Sequence, residues 1–485
     1  MPESLTTRTL RGLKWSYIST FTTALLQLGY AAVMARLLNP SDFGLVAMGG
    51  VVLRFGNYFA QMGMGPAIVQ KKEITEQQIR AAFTSSVFLG LGFSALAFLL
   101  APLTMYVFDN QGVVPLVRVM GLSFLLNGFS LTPLALIRRE LRFKALAGAE
   151  ITSFVIGYPV VGISSAILGF GVWSLVFASL TQSALMALQA FFISRRRLSM
   201  SFSWAHYKPL FSFGSKVSVI SFFEFIGGSL DTLVIGRYFG SSPLGIYNRA
   251  QMLTSLPMQY FTSSFSRVIF PSISQIQDDN ERIKNNIFLV LQVVSIVIFP
   301  FAILAVVLSK EIVAIMLGPK WIEASLLLKF LAFAAAVDLQ THFIAALFEA
   351  KGLLRQKLTV QTTFVGVLSV AFYVGLGNGV QGIALAVVTC HIARFVHYVF
   401  YFLKEFRIGA REMLKPFVVP VFTCAANCLF LISFYQYVQR FSPHNYVTAA
   451  MTLVLFLIVN IGIFCTPANM KLRNELYYRL KSLNA

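Results

Sequence analysis

Two stretches of the chain repeat each other at a nearly constant spacing. Arg36-Leu-Leu-Asn-Pro-Ser-Asp-Phe-Gly44 corresponds to Arg237-Tyr-Phe-Gly-Ser-Ser-Pro-Leu-Gly245, 201 residues later. Gly12–Ser19 corresponds to Gly214–Ser221, 202 residues later. In each copy the two matched stretches stand at the start and the end of one long apolar run. The repeat therefore predicts a chain built from two similar halves.

Apolar side chains dominate the rest of the chain. Of its 485 residues, 57% are hydrophobic and only 12% are charged, and the mean hydropathy is +0.73. Soluble proteins carry about a quarter charged residues. Uncharged runs of about 20 residues are typical of helices that cross a bilayer. The composition excludes an ordinary soluble enzyme and predicts an all-α integral membrane protein with about 14 transmembrane helices.

The breaks between apolar runs give the predicted spans. They are 15–38, 44–68, 81–101, 113–137, 148–168, 170–193, 210–238, 245–270, 287–308, 324–349, 357–378, 380–403, 417–435 and 446–465. Spans 1–6 are predicted to form an N-terminal lobe (1–205), and spans 7–12 are predicted to form a C-terminal lobe (206–405). The remainder (406–485) consists of spans 13–14 and a cytoplasmic tail. Because six spans separate the repeats, the two lobes run in parallel, as in several transporter folds that work by alternating access.

The basic residues predict the topology. Lys and Arg total 39 against 19 Asp and Glu, a net charge of +20. If the N-terminus lies in the cytoplasm and the spans alternate, 27 Lys and Arg fall in cytoplasmic segments and three, Lys310, Lys320 and Arg440, fall in outer segments. The remaining nine lie within the spans or at their ends. This asymmetry follows the positive-inside rule, so the excess charge indicates a membrane topology and not a nucleic-acid partner. Both termini are predicted to be cytoplasmic.

Several ionisable residues lie deep in the predicted spans, where a charge is costly unless it faces protein or water. Pairs seven, four and three residues apart share a helix face: Glu224 with Asp231, Asp338 with His342, and His391 with Arg394. Each pair is either an interhelical salt bridge or part of an ion-coupling or substrate site. We predict Glu224, Asp231, Asp338, His342 and His391 as ion-coupling candidates.

Arginine is suited to anions because its guanidinium binds phosphate in a bidentate way. Arg54, Arg118, Arg249 and Arg394 are therefore predicted to bind an anionic substrate, although shallower arginines can also reach lipid headgroups. No glycine loop followed by Lys-Ser/Thr is present, so direct use of ATP is not expected. No catalytic, metal or cofactor site is predicted.

Motifs spread along the chain carry a family resemblance. They are Ala35-Arg36-Leu37 with Phe43-Gly44-Leu45, Ile68–Lys72, Phe270-Pro271 with Gln275–Asp279, and Gly318–Trp321. In their order and placement the chain resembles the Wzx-type lipid-linked oligosaccharide flippases of the multidrug/oligosaccharidyl-lipid/polysaccharide superfamily, and among them the colanic-acid-exporter type.

The resemblance implies a flippase that moves an undecaprenyl-pyrophosphate-linked repeat unit across a bacterial inner membrane for exopolysaccharide or lipopolysaccharide assembly. It also implies coupling to protons or sodium ions, contact with membrane lipids, and a polysaccharide polymerase or other assembly proteins as partners.

Three alternatives stay open: a drug/cation antiporter of the same superfamily, a membrane glycosyl polymerase, and a scaffold without transport. The polymerase needs acid/base residues on a long outer loop, whereas the longest outer connection, 309–323, is short.

Overall fold

A computed structural model describes residues 5–61, 64–71, 73–194, 199–201, 203–204, 207, 225–274, 279–441 and 445–465. Within these ranges all regular structure is helical, and no strand is found. The predicted all-α class is therefore confirmed. The chain divides into two compact units, Met1–Asn248 and Arg249–Ala485. The lobe boundaries at 205 and 405 stay predictions.

Eleven helices and the start of a twelfth make up the described part of the first unit. They are α1 (Leu5–Leu37), α2 (Pro40–Gln61), α3 (Met64–Gln70), α4 (Glu76–Leu100), α5 (Leu103–Phe108), α6 (Val113–Met120), α7 (Leu122–Arg139), α8 (Phe143–Val155), α9 (Ile163–Ile167), α10 (Val172–Ser194), α11 (Leu230–Tyr238) and α12 (Ser241–Ser274). Helix α7 packs against both α4 and α10, and α1 packs against α8. Small polar residues allow close packing: buried Ser86 of α4 donates from its hydroxyl to the carbonyl of Gly128 of α7 at 2.9 Å.

The repeat is visible in the helix boundaries. Helix α1 ends at Leu37 and α2 begins at Pro40, while α11 ends at Tyr238 and α12 begins at Ser241. Both breaks are therefore equivalent under the 201-residue offset of the sequence repeat. The other repeated stretch, Gly214–Ser221, lies outside the described residues.

These two breaks contact each other inside the first unit. A Cβ atom added to Gly44 would overlap the carbonyl oxygen of Ser241, and one added to Gly245 would overlap the carbonyl oxygen of Pro40. Gly44 matches Gly245 in the repeat, and Pro40 matches Ser241. The first turns of α2 and α12 thus cross in a locally symmetric way that only glycine permits.

The second unit contains the rest of α12 and seven further helices. They are α13 (Asn280–Val307), α14 (Ser309–Met316), α15 (Ala324–Ala350), α16 (Leu354–Gly375), α17 (Gly379–Phe406), α18 (Ala410–Phe441) and α19 (Asn445–Cys465). Helix α13 packs against α15 and α18, and α17 packs against α15 and α16. A buried cluster that includes Ile287, Leu347, Phe348 and Phe402 joins α13, α15 and α17.

Most of the predicted spans coincide with helices of the structure, with local breaks. In the described residues, nine stretches are long and apolar enough to cross a membrane, and one of these, Leu354–Phe406, holds both α16 and α17. The chain is thus a multi-pass membrane protein. The count of fourteen stays a prediction, because residues 210–224 of predicted span 7 (210–238) lie outside the described residues. Predicted spans 2 and 8 correspond to α2 and α12, which are not among these nine stretches of the described residues.

Three predicted segments show further local detail. The run predicted at 44–68 falls on α2 and α3, and residues 62 and 63 between them lie outside the described ranges. The run at 148–168 contains a π-helical turn, Ile156–Gly162, around Pro159, which removes a backbone donor and widens the helix. The connection 309–323, which is predicted to lie on the outer side, holds helix α14 and a 3₁₀ turn, Pro319–Trp321.

Candidate functional site

Three ionisable residues of the predicted spans 324–349 and 380–403 form one cluster across two helices. The Asp338 carboxylate on α15 accepts hydrogen bonds from the Arg394 guanidinium and, at 3.1 Å, from Nδ1 of His391, both on α17. The Arg394 guanidinium also lies over the ring of Phe364 on α16, 4.4 Å from its centroid. We call Asp338, His391 and Arg394 the Asp338 cluster.

The Asp338 cluster adds contacts between helices to the pairs that the sequence suggested. Spacing along α15 and α17 predicted Asp338 with His342 and His391 with Arg394, and the carboxylate of Asp338 also joins residues more than 50 positions away. His342 is exposed on α15. Asp338 compensates the charge of Arg394. In the described conformation, the attraction of this arginine for an anion is therefore weaker than that of an unpaired arginine.

Asp231 has a different environment in the first unit. It lies in the first turn of α11 and is buried. Its Oδ1 accepts from the backbone N–H of Thr232 at 2.6 Å and from the hydroxyl of Thr232 at 3.2 Å, and its Oδ2 accepts from the hydroxyl of Tyr247 at 3.0 Å. Thr232 and Tyr247 thus supply three hydrogen-bond donors to this carboxylate. Its predicted partner Glu224 lies outside the described residues.

The remaining predicted arginines lie in three settings. Arg54 is exposed on α2. Arg118 on α6 lies 5.0 Å from the ring centroid of Phe98, and its buried Nε has no hydrogen-bond partner within the described part of the chain. Arg249 on α12 approaches the sulfur of Met252 at 3.3 Å. Arg54 and Arg118 belong to the first unit, in which α2 packs against α6, while Arg249 and Arg394 belong to the second.

Two basic residues near the end of α7 have backbone partners. Arg139, at the end of α7, donates to the carbonyl oxygens of Ile68 at 2.8 Å and of Lys71. Arg142 donates to the carbonyl of Ile193 at 2.5 Å. Both guanidinium groups therefore satisfy carbonyls at helix ends, which lack partners within their own helices.

The structure adds two features that the sequence did not indicate. One is a cavity of about 550 Å³ in the second unit, lined by apolar residues such as Phe299, Val337 and Phe417 together with buried Gln340. The other is Glu311, a carboxylate that is 2% exposed on α14. Neither has a local sequence signal, because both arise when helices distant in sequence pack together.

Comparisons with known proteins extend this description. Residues 33–326 match the model of a family described as "Polysaccharide biosynthesis protein". The chain is 28% identical over 358 residues to the lipopolysaccharide biosynthesis protein WzxC of Escherichia coli K12, covering 72% of this chain and 71% of that protein.

Two solved structures are similar in fold. The lipid II flippase MurJ, in an inward closed conformation, is similar with a TM-score of 0.76 and 16% identity, covering 96% of this chain and 99% of MurJ. An inward-facing multidrug resistance MATE transporter is similar with a TM-score of 0.62 and 13% identity, covering 80% of this chain and 98% of the transporter. At these identities the likeness concerns the fold.

Proposed function

The chain belongs to the family described as "Polysaccharide biosynthesis protein", whose model matches more than half of it, and on that premise we propose that it is a flippase for a lipid-linked oligosaccharide. The substrate is a polyprenyl-pyrophosphate-linked repeat unit, moved from the cytoplasmic to the periplasmic leaflet of a bacterial inner membrane by alternating access. The observation that carries the proposal is the coincidence of this family match with a flippase-like fold over 96% of the chain.

The topology of the proposal follows the basic residues. Both termini are placed in the cytoplasm, because the cytoplasmic segments then contain 27 Lys and Arg and the outer ones three. No step of the proposed function requires bond making or breaking by this chain.

The arginines supply the anion-binding part of the proposal. Arg54, Arg118 and Arg249 would contact the pyrophosphate or acidic sugars, since guanidinium groups bind phosphate oxygens bidentately. The buried Nε of Arg118, which has no partner among the described residues, supports this role, because such a donor costs free energy until a ligand accepts from it.

The Asp338 cluster supplies the coupling part. Arg394 and a bound cation compete for the same carboxylate, so a proton or sodium ion at Asp338 or His391 would weaken the Asp338–Arg394 pair. Arg394 would then be available to an anion. Cation binding and substrate binding would in this way be thermodynamically linked. Asp231, His342 and Glu224 remain further candidates for coupling.

The test is the location of the lipid-linked repeat unit in cells that lack the chain. A membrane-impermeant sugar-modifying enzyme added to spheroplasts reaches only repeat units on the outer leaflet. We expect repeat units to accumulate on the inner leaflet and to reach the outer leaflet when the wild-type chain is restored. Unpolymerised repeat units on the outer leaflet of the deletion cells would contradict the proposal.

A drug/cation antiporter is the second candidate, favoured by the MATE-like fold. If the chain were such an antiporter, its deletion would leave the lipid-linked repeat units unaffected and would instead raise the sensitivity of the cells to cationic compounds. The cationic candidates Arg54, Arg118 and Arg249 argue against a pocket that selects cations.

A further inference from the structure

The apolar cavity of about 550 Å³ in the second unit is lined by four helices. Phe299 of α13, Val337 of α15 and Val399 of α17 line it, and α18 adds residues between Met413 and Cys424 at helical spacing. Helix α18 packs against α13, and α17 packs against α15, so the cavity lies where these two helix pairs meet. We call it the α18 cavity.

The α18 cavity extends inward from one end of these helices. Met413 is in the first turn of α18, and Cys424 follows eleven residues later, which is about 16 Å along a helix. On α17, the lining residue Phe395 lies eleven residues before the helix ends at Phe406. One leaflet of the hydrocarbon core is about 15 Å thick. The cavity therefore has the depth of one leaflet and, on the proposed topology, begins at the cytoplasmic interface.

The α18 cavity opens at an apolar surface. Its lining residues Val396, Leu414 and Val421 are exposed. Val418 and Phe422, which follow Leu414 on the same face of α18, are exposed as well. An exposed apolar surface within a membrane span borders hydrocarbon, so a lipid chain can enter the cavity without crossing polar groups.

Basic residues surround the cytoplasmic end of the α18 cavity. The connection between α17 and α18 and the adjoining helix ends hold four exposed basic residues, Lys404, Arg407, Arg411 and Lys415. The acids of the same stretch are paired with lysines of other helices, Glu405 with Lys351 at 3.4 Å and Glu412 with Lys284 at 3.1 Å. The exposed charge next to the cavity is therefore positive, and basic clusters of this kind at a cytoplasmic interface attract anionic lipids.

A cavity that has the depth of one leaflet and ends at exposed cations matches a lipid with one chain inside and an anionic headgroup at the rim. We propose that the α18 cavity is a binding site for an anionic phospholipid of the cytoplasmic leaflet. One acyl chain occupies the cavity, and the phosphate contacts Arg411 and Lys415, which flank Leu414 on α18. An acyl chain has the length of one leaflet, whereas a polyprenyl chain is longer. The inference uses the proposed topology and does not depend on the flippase function.

Photo-cross-linking of the full chain in phosphatidylcholine liposomes tests the site. The probe is phosphatidylglycerol with a diazirine at the end of one acyl chain, and peptide mass spectrometry locates the adduct. We expect adducts on the lining residues between Met413 and Cys424. Val399→Phe, which adds volume to the cavity wall, should lower their yield severalfold. Val370→Phe, at an exposed position of α16, is the control, and equal yields in the two variants would overturn the proposal.

The headgroup is tested by a variant that leaves the cavity wall unchanged. The same experiment compares phosphatidylglycerol and phosphatidylcholine probes with identical chains. The wild type should favour phosphatidylglycerol, and Arg411→Gln/Lys415→Gln should lower this preference by about fivefold for each cation removed. Arg355→Gln, at an exposed basic residue of the start of α16, is the control and should keep it. No preference in the wild type, or an equal loss in the control, would contradict the headgroup site.

Competition identifies the kind of chain in the cavity. Unlabelled phosphatidylglycerol should reduce the adducts on α18, and the same amount of polyprenyl phosphate should not. Displacement of the probe by polyprenyl phosphate but not by phosphatidylglycerol would overturn the phospholipid proposal and assign the cavity to a polyprenyl chain.

Discussion

The crossing of α2 and α12 makes Gly44→Ala a sharp test of the described fold. The new methyl group would overlap the carbonyl oxygen of Ser241, which belongs to the backbone and cannot rotate away as a side chain could. The two helices must therefore separate at their first turns. Gly50→Ala is the matched control, because it lies on the same helix and its added Cβ would have no atom within 4 Å.

The expected loss of stability follows from two opposing terms. Forcing an extra methyl group into a packed contact costs about 1–3 kcal/mol. Alanine is favoured over glycine in a helix by about 1 kcal/mol. Because the obstacle is backbone, we expect the upper part of the first range and a net loss of about 1–2 kcal/mol for Gly44→Ala. Gly50→Ala has only the favourable term and should be neutral or slightly stabilising.

Thermal unfolding of the purified chain in detergent measures the difference. A loss of 1 kcal/mol lowers Tm by about 2–4 °C in a unit of roughly this size. Gly245→Ala should behave like Gly44→Ala, because its Cβ would meet the Pro40 carbonyl oxygen in the equivalent place. The double variant should lose less than the sum, since the first methyl group already separates the helices. A Tm for Gly44→Ala at or above that of Gly50→Ala would refute the crossing.

Three further predictions concern charged residues. Arg139→Ala should lower the free energy of unfolding by about 1–3 kcal/mol, because two carbonyls lose a charged donor. The control is Arg138→Ala, at an exposed neighbouring residue, which should change the free energy of unfolding little in the same thermal assay. Asp338→Ala should lower the free energy of unfolding by about 1–3 kcal/mol, because it leaves the charge of Arg394 uncompensated. The double variant Asp338→Ala/Arg394→Ala should recover part of that loss. If the effects of the two single substitutions simply add in the double variant, the two side chains do not form a stabilising pair. Arg54→Ala should abolish surface display of the polymer at a normal membrane level of the chain, and normal display would remove Arg54 from the substrate site.

The helical class and most span positions follow from the sequence because the bilayer imposes them. A backbone in hydrocarbon must satisfy its own hydrogen bonds, so apolar runs of sufficient length become helices. The break between α1 and α2 was marked by Asn39-Pro40, and the repeat located its equivalent between α11 and α12. The short helix α14 was missed because it is too short and too charged to register as an apolar run.

The candidate site was less predictable because its contacts are tertiary. Helical spacing identifies residues on one face of one helix, and it singled out Asp338, His391 and Arg394 as ionisable residues within the predicted spans. It could not identify their partners, since Asp338 is 53 residues from His391 and 56 from Arg394. The burial of Glu311 depends on α18 and on an apolar cluster whose members are spread from Leu304 to Phe456.

Translocation by the purified chain tests the flippase proposal most directly. The chain would be reconstituted into liposomes that contain a polyprenyl-pyrophosphate-linked oligosaccharide, and an impermeant sugar-modifying enzyme outside would report its leaflet over time. We predict that the protected fraction becomes accessible in proteoliposomes and stays protected in protein-free liposomes. Equal protection in both, with the chain folded and inserted, would contradict the account.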